Sequence, residues 1–184
     1  MNQHNMDQEV PPGSPKKGVM RWLWDITIVL LAVWAVNAWY TRDMLATNQT
    51  IRSFNVVSLS GAVTEVKADP ERPTLMYFFA PWCSVCRASI GNLDDLDTAK
   101  VQLYVIALDY KNQNEVEQFV SDVGLESPVY LGTNEVRDGF AVKAYPSYYV
   151  LDESFSITSR TVGYSTSLGM WLRTLYVGSS RFGA

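Results

Sequence analysis

The sequence is short of the residues on which most catalytic and structural chemistry rests. It holds one histidine, His4, and two cysteines in 184 residues. A single histidine excludes most histidine-based acid–base catalysis and most zinc sites, which draw on imidazole. Two cysteines exclude a scaffold built on disulfides. There is no basic excess either: 15 Lys+Arg stand against 19 Asp+Glu, a formal net charge of −4. With no cationic surplus to neutralise phosphates, no nucleic acid is expected as a partner. A hydrophobic content of 47% excludes a mostly disordered chain. The length suits one domain of ordinary size plus a tail or anchor, and excludes a large multidomain enzyme. Internal repeats and low-complexity tracts are absent.

The chain divides by composition. Residues 1–20 are polar, carry Pro11, Pro12, Gly13 and Pro15, and read as a short disordered arm. Trp22 to Tyr40 is apolar on every face, with one charge, Asp25, in its first turn. Nineteen residues at about 1.5 Å each span a hydrocarbon core. Trp22 and Trp24 at one end and Trp39 and Tyr40 at the other resemble an aromatic belt. Residues 21–41 are therefore expected to be a transmembrane anchor. Lys16, Lys17 and Arg21 precede the span, which places the arm in the cytoplasm and the rest of the chain outside. Ala32, Ala35 and Ala38 are spaced by three, so no A-x-A cleavage pattern forms and the anchor is expected to stay uncleaved. Residues 42–55 read as a linker and 56–184 as the globular domain.

Within that domain apolar patterns alternate. Val56–Ser60 and Ala62–Val66 read as a hairpin around Gly61. TLMYFFA, residues 74–80, and VQLYVIALD, residues 101–109, are continuous runs expected of strands covered on both faces. Cys86, Ile90 and Leu93 recur at helical spacing, predicting a helix over 83–96. A helix starting near residues 112–114 carries Val116, Phe119, Val120 and Val123. A strand at 128–132, a short helix at 134–142 with Val136 and Phe140 inward, a strand at 147–152 and its hairpin partner at 157–163 follow. Ser165 or Ser167 is expected to cap a last helix carrying Leu168, Leu172 and Leu175. Alternating β and α predict an α/β fold, a central mixed sheet with helices on both faces.

The two cysteines stand in Trp82-Cys83-Ser84-Val85-Cys86, directly after a buried strand and at the start of a helix. At a helix N-terminus, free N–H groups and the helix dipole stabilise a thiolate. Cys86 is one turn deeper, close enough to close a disulfide with little movement. Cys83 thus reads as the attacking thiolate and Cys86 as the resolving thiol. Two other readings compete. A structural disulfide enclosing two residues restricts the unfolded chain little. A metal site lacks ligands for zinc, which leaves a two-thiolate Cu(I) site, a copper-handling module with no catalytic role.

Tyr145-Pro146 precedes the strand SYYVLD. By itself it reads as the start of an edge strand with a trans bond. The segments FFAPWCSVC and YPSYYVLD, with the closing Arg160-Thr161-Val162-Gly163-Tyr164, resemble the thioredoxin superfamily and its membrane-anchored TlpA/ResA-like branch. Within that branch the chain is most similar to ScsD-like protein disulfide oxidoreductases, which share a C-x-V-C motif and a final Gly-Tyr. The resemblance, over residues 56–176, implies a thioredoxin fold and a cis peptide bond before Pro146. It implies a site made of Trp82, Cys83, Cys86, Tyr145 and Pro146, with the backbone of Tyr145 pairing with a bound peptide. Partners would be protein thiols and disulfides, with a transmembrane thiol donor if the protein is a reductase, the favoured direction; no cofactor is implied. The expected location is the bacterial inner membrane with the domain in the periplasm. The chain departs from the family where an acid is usual: Tyr77 and Ser89 occupy those positions. Asp94, Asp95 and Asp109 are alternatives for the acid, but read more simply as solvated charges.

Overall fold

The computed structural model describes the backbone of residues 16–178 and the side chains of residues 20–174. The expected features of residues 1–15 lie outside the described residues. The chain forms two compact units, the second beginning at Asn37.

The first unit is built on helix α1, Lys16–Thr41. It begins five residues earlier than the expected anchor, at Lys16, and runs through Gly18 without a break. Its segment Met20–Thr41 is 22 residues long, wholly unburied, and long and apolar enough to cross a membrane.

The second unit contains β1 (Phe54–Ser58), β2 (Val63–Val66), β3 (Thr74–Phe79), α2 (Ser84–Ser89), β4 (Gln102–Ala107), α3 (Gln113–Val123), β5 (Val129–Leu131), α4 (Asn134–Gly139), β6 (Ser147–Leu151), β7 (Ile157–Val162) and α5 (Ser167–Gly178). The strands make one sheet in the order β2-β1-β5-β4-β3-β6-β7. β4 pairs parallel with β3 and β5; the other pairings are antiparallel. This is the mixed sheet of the thioredoxin fold.

Every residue of β3 is buried, so its period-2 alternation feeds two cores. Leu75, Tyr77 and Phe79 pack with Cys86, Ile90, Phe119 and Met170 from α2, its 3-10 extension, α3 and α5. Met76 and Phe78 pack with Phe140 and Val142 at the end of α4 and with Met44 and Phe155. Local signals fix the helix ends. Asn112 Oδ1 accepts the Glu115 N–H at 3.0 Å, and Gly124, at φ +65°, closes α3.

Four expectations need correction. Residues 42–55 are no free linker: Met44 is buried, Arg160 donates to the carbonyls of Met44 and Leu45, and Asn48 and Ile51 donate to Ile157 and Phe155. The predicted helix over 83–96 is shorter. After Ser89, whose hydroxyl turns back onto the Val85 carbonyl at 2.9 Å, it tightens to a 3-10 turn over Ile90–Leu93. The helix at 134–142 ends at Gly139. Thr166, not Ser165 or Ser167, caps α5, its Oγ1 accepting the Gly169 N–H at 3.1 Å. Among the described side chains of α5, Met170 and Thr174 are the buried ones, while Leu168 and Leu172, about 200° round the helix, are 61% and 52% exposed. The Leu175 side chain lies outside the described residues.

Candidate functional site

β3 and β4 run parallel and finish level, Phe79 opposite Ala107. Their carboxyl ends open onto one edge of the sheet, where sites of open α/β sheets gather. From β3 the chain turns through Ala80-Pro81-Trp82, with the Cys83 N–H donating to the Ala80 carbonyl at 3.0 Å. Cys83 is the N-cap of α2: its backbone is extended and its sulfur accepts the Cys86 N–H at 3.0 Å. Cys83 and Cys86 are joined in a disulfide with Cα atoms 5.2 Å apart. Cys86 is fully buried and Cys83 is 7% exposed, so Cys83 is the outer sulfur of the pair.

The peptide bond Tyr145-Pro146 is cis. Pro146 is buried and its carbonyl accepts the N–H of Gly163 at 2.8 Å. Gly163 has φ +97°, a conformation that favours glycine, so the end of β7 is shaped to back this loop. Tyr145 packs against the cluster holding Cys83 and Cys86. Its ring meets that of Trp82 edge to face, with centroids 5.6 Å apart. The five residues implied by the resemblance thus lie in two adjoining segments, the 80–83 loop running into the first turn of α2 and the 145–146 loop before β6. Trp82 is the exposed one, at 63%.

Asp109, read from sequence as a solvated strand-end charge, belongs to the same cluster. It follows β4 with φ +50°. Its carbonyl accepts the Trp82 indole N–H at 2.9 Å, and its carboxylate accepts the Tyr145 hydroxyl at 2.8 Å and Arg137 Nη1 at 2.9 Å. Burial and the bond to the carboxylate raise the Tyr145 phenol well above its ordinary pKa, so it stays the proton donor. The one sequence signal for Asp109 was its place at the carboxyl end of a buried parallel strand. Asp94 has another duty: its carboxylate accepts the N–H groups of Glu126 and Ser127.

Behind the disulfide, Tyr77 and Ser89 occupy the positions where an acid was sought. Their hydroxyls lie 3.2 Å apart. The buried Tyr148 hydroxyl has no partner of hydrogen-bond geometry among the described residues. Tyr104, Tyr148 and Tyr149 are buried sheet residues, as their strands predicted.

No protein-family model matches the chain. It is 24% identical over 160 residues to the thioredoxin-like protein YneN of Bacillus subtilis (strain 168), covering 82% of this chain and 94% of YneN. It is also 24% identical over 104 residues to the thiol-disulfide oxidoreductase YkuV of the same organism, covering 52% of this chain and 70% of YkuV. Among solved structures, a thiol:disulfide interchange protein of Chlorobium tepidum TLS superposes with a TM-score of 0.62 at 20% identity. That match covers 72% of this chain and 98% of the other. The sheet order is that of the thioredoxin fold, and the chain, with its disulfide at the head of α2, is similar to thioredoxin-like thiol-disulfide oxidoreductases.

Proposed function

We propose that the protein is a membrane-anchored thiol:disulfide oxidoreductase that exchanges disulfides with partner proteins through Cys83 and Cys86. The observation that carries this reading is the pair itself: an outer sulfur at the N-cap of α2, bonded to a buried sulfur one turn on. In the reduced state the Cys86 N–H and the start of α2 favour the Cys83 thiolate over the thiol. That thiolate attacks a substrate disulfide, forms a mixed disulfide and releases one substrate thiolate. The Cys86 thiolate then attacks Cys83 Sγ, closes the Cys83–Cys86 bond and releases the second. Two electrons pass to the substrate, and a donor dithiol must return them. Trp82 and the Tyr145-Pro146 loop form the docking edge, where backbone groups of Tyr145 pair with the substrate chain.

We place the protein in the TlpA/ResA-like branch, near the ScsD-like oxidoreductases, and take α1 as its anchor in a bacterial inner membrane. Lys16, Lys17 and Arg21 on one side of the span support a cytoplasmic N-terminus and a periplasmic domain. The reductase direction, with a transmembrane thiol donor, is supported by the same resemblance. Reduction of insulin and glutathione disulfide by the full chain, lost in Cys83→Ala, tests the activity. Tight binding of one Cu(I) with no turnover would replace this reading with the copper-handling one.

A further inference from the structure

Asp109 holds a left-handed backbone conformation, φ +50°, that disfavours residues with a Cβ and that Asp tolerates better than most. That conformation gives it two anchors. Its carbonyl holds the indole of Trp82 and its carboxylate holds the phenol of Tyr145, at 2.9 and 2.8 Å. The two rings so fixed meet with planes at 87°, an arrangement their quadrupoles favour. Asp109 is itself held from α4 by Arg137 at 2.9 Å. Trp82 immediately precedes Cys83 and Tyr145 immediately precedes Pro146, so one residue of a third loop fastens together the two loops that flank the disulfide.

We infer that Asp109 is the specificity-determining residue of this site: it holds Trp82 and Tyr145 as a fixed aromatic wall beside Cys83 that admits a cysteine on a thin, extended segment and turns away one set in a folded surface. The inference rests on the reading of Cys83 as the attacking thiol. Asp109 touches no reacting atom and is a positioning residue. The near-complete cover of Cys83, 7% exposed, makes such a wall effective, since an incoming group has little of the sulfur to approach. A tyrosine without its anchor would rotate about χ1 and open the approach.

The test uses the reduced full chain and its Asp109→Gly and Tyr145→Phe variants. Glycine keeps the backbone acceptor for Trp82 and the left-handed conformation while deleting the carboxylate. Phenylalanine keeps the ring and deletes the anchoring hydroxyl. Cys83 is alkylated with N-ethylmaleimide and with a polyethylene-glycol maleimide, reagents of one chemistry and two sizes, so any change in thiol pKa cancels in the ratio of rates. The expected ratio of large to small reagent rises at least about twofold in each variant, the scale of one lost hydrogen bond, and the double variant rises no further. A smaller rise in either single variant, or additive rises in the double, overturns the inference. Should Asp109→Gly not fold, Tyr145→Phe, which alters no charge and no backbone, decides by the same threshold. Failure of the oxidoreductase reading shows separately, as wild-type protein that turns over neither insulin nor glutathione disulfide.

Discussion

The hydroxyl of Tyr77 lies 3.2 Å from Ser89 Oγ, and both residues are fully buried behind the Cys83–Cys86 disulfide. A phenol and an alcohol stand where thioredoxin-like proteins are expected to carry an acid. Burial drives the Tyr77 pKa far above its ordinary 10, with the neighbouring Tyr148 adding to the shift. The phenol therefore stays protonated wherever thiols react and cannot take a proton from Cys86. Exchange should thus show no ionisation that belongs to Tyr77 across about pH 5–9. Tyr77→Phe should leave turnover within about twofold and lower stability by about 1 kcal/mol. Insulin turnover against pH for both proteins checks this; an ionisation abolished by Tyr77→Phe would make Tyr77 a participant in proton transfer.

Tyr148 and Tyr149 join Tyr77 and Tyr145 in lowering stability at alkaline pH. Burial pushes Tyr148 and Tyr149 up to about 12 in the folded protein, from an ordinary 10.0. Between those values the unfolded chain has lost phenol protons that the folded chain keeps, so stability falls as pH rises from about 10 to 12. Each residue should contribute a loss of order 2 kcal/mol. Urea unfolding at pH 9 and 11 measures the slope, and Tyr149→Phe should flatten it.

Gly132 follows β5, and its backbone touches the neighbouring strand. A Cβ built there would lie 2.6 Å from Leu108 Cδ2, 2.7 Å from Ile106 Cγ2 and 3.1 Å from the Ala107 carbonyl. Ile106 and Leu108 are themselves buried, so they have little room to give. Gly132→Ala should destabilise by about 1–3 kcal/mol. Thermal unfolding reads the change; a variant as stable as wild type would mean that β4 and β5 separate without cost.

The sequence carried most of the sheet. The runs around Phe78 and Ile106 are apolar without interruption because both faces are covered, and the spacing of Val116, Phe119, Val120 and Val123 announced α3. The cysteine pair was equally plain, because its strand, motif and helix are consecutive in the chain. Other features depend on contacts that no local pattern encodes. Leu168 and Leu172 invite burial, yet α5 turns Met170 and Thr174 inward. A polar stretch holding Met44 looked like a tether because its partners, Tyr149, Phe155, Ile157 and Arg160, lie over a hundred residues away. Asp109 reaches Trp82, Arg137 and Tyr145 across the sheet edge, and only the assembled loops reveal it.

The ordered stretch after α1 gives a truncation test. A chain beginning at Arg42 keeps the bonds of Met44, Leu45, Asn48 and Ile51 to β6, β7 and the turn between them; one beginning at Phe54 loses them all. Loss of the buried Met44 side chain alone is worth about 1.5–3 kcal/mol. The shorter chain should unfold several degrees lower in a thermal melt. Equal melting temperatures would return residues 42–53 to the status of a linker. Both truncated chains lack the Met20–Thr41 span, so both should be recovered in the soluble fraction, while the full chain is expected with the membranes.

The most direct test of the central claim is covalent capture. Cys86→Ala removes the resolving sulfur, so an attack by Cys83 on a partner disulfide has no second step and the mixed disulfide accumulates. Full-length Cys86→Ala, expressed in bacteria and quenched in acid with a thiol-blocking reagent, should run on non-reducing gels as a set of higher-mass adducts. Dithiothreitol should collapse them, and the Cys83→Ala, Cys86→Ala double variant should show none. If Cys86→Ala forms no adducts, or if Cys83→Ala with Cys86 intact forms them equally well, Cys83 is not the attacking thiol and the account of this site is wrong.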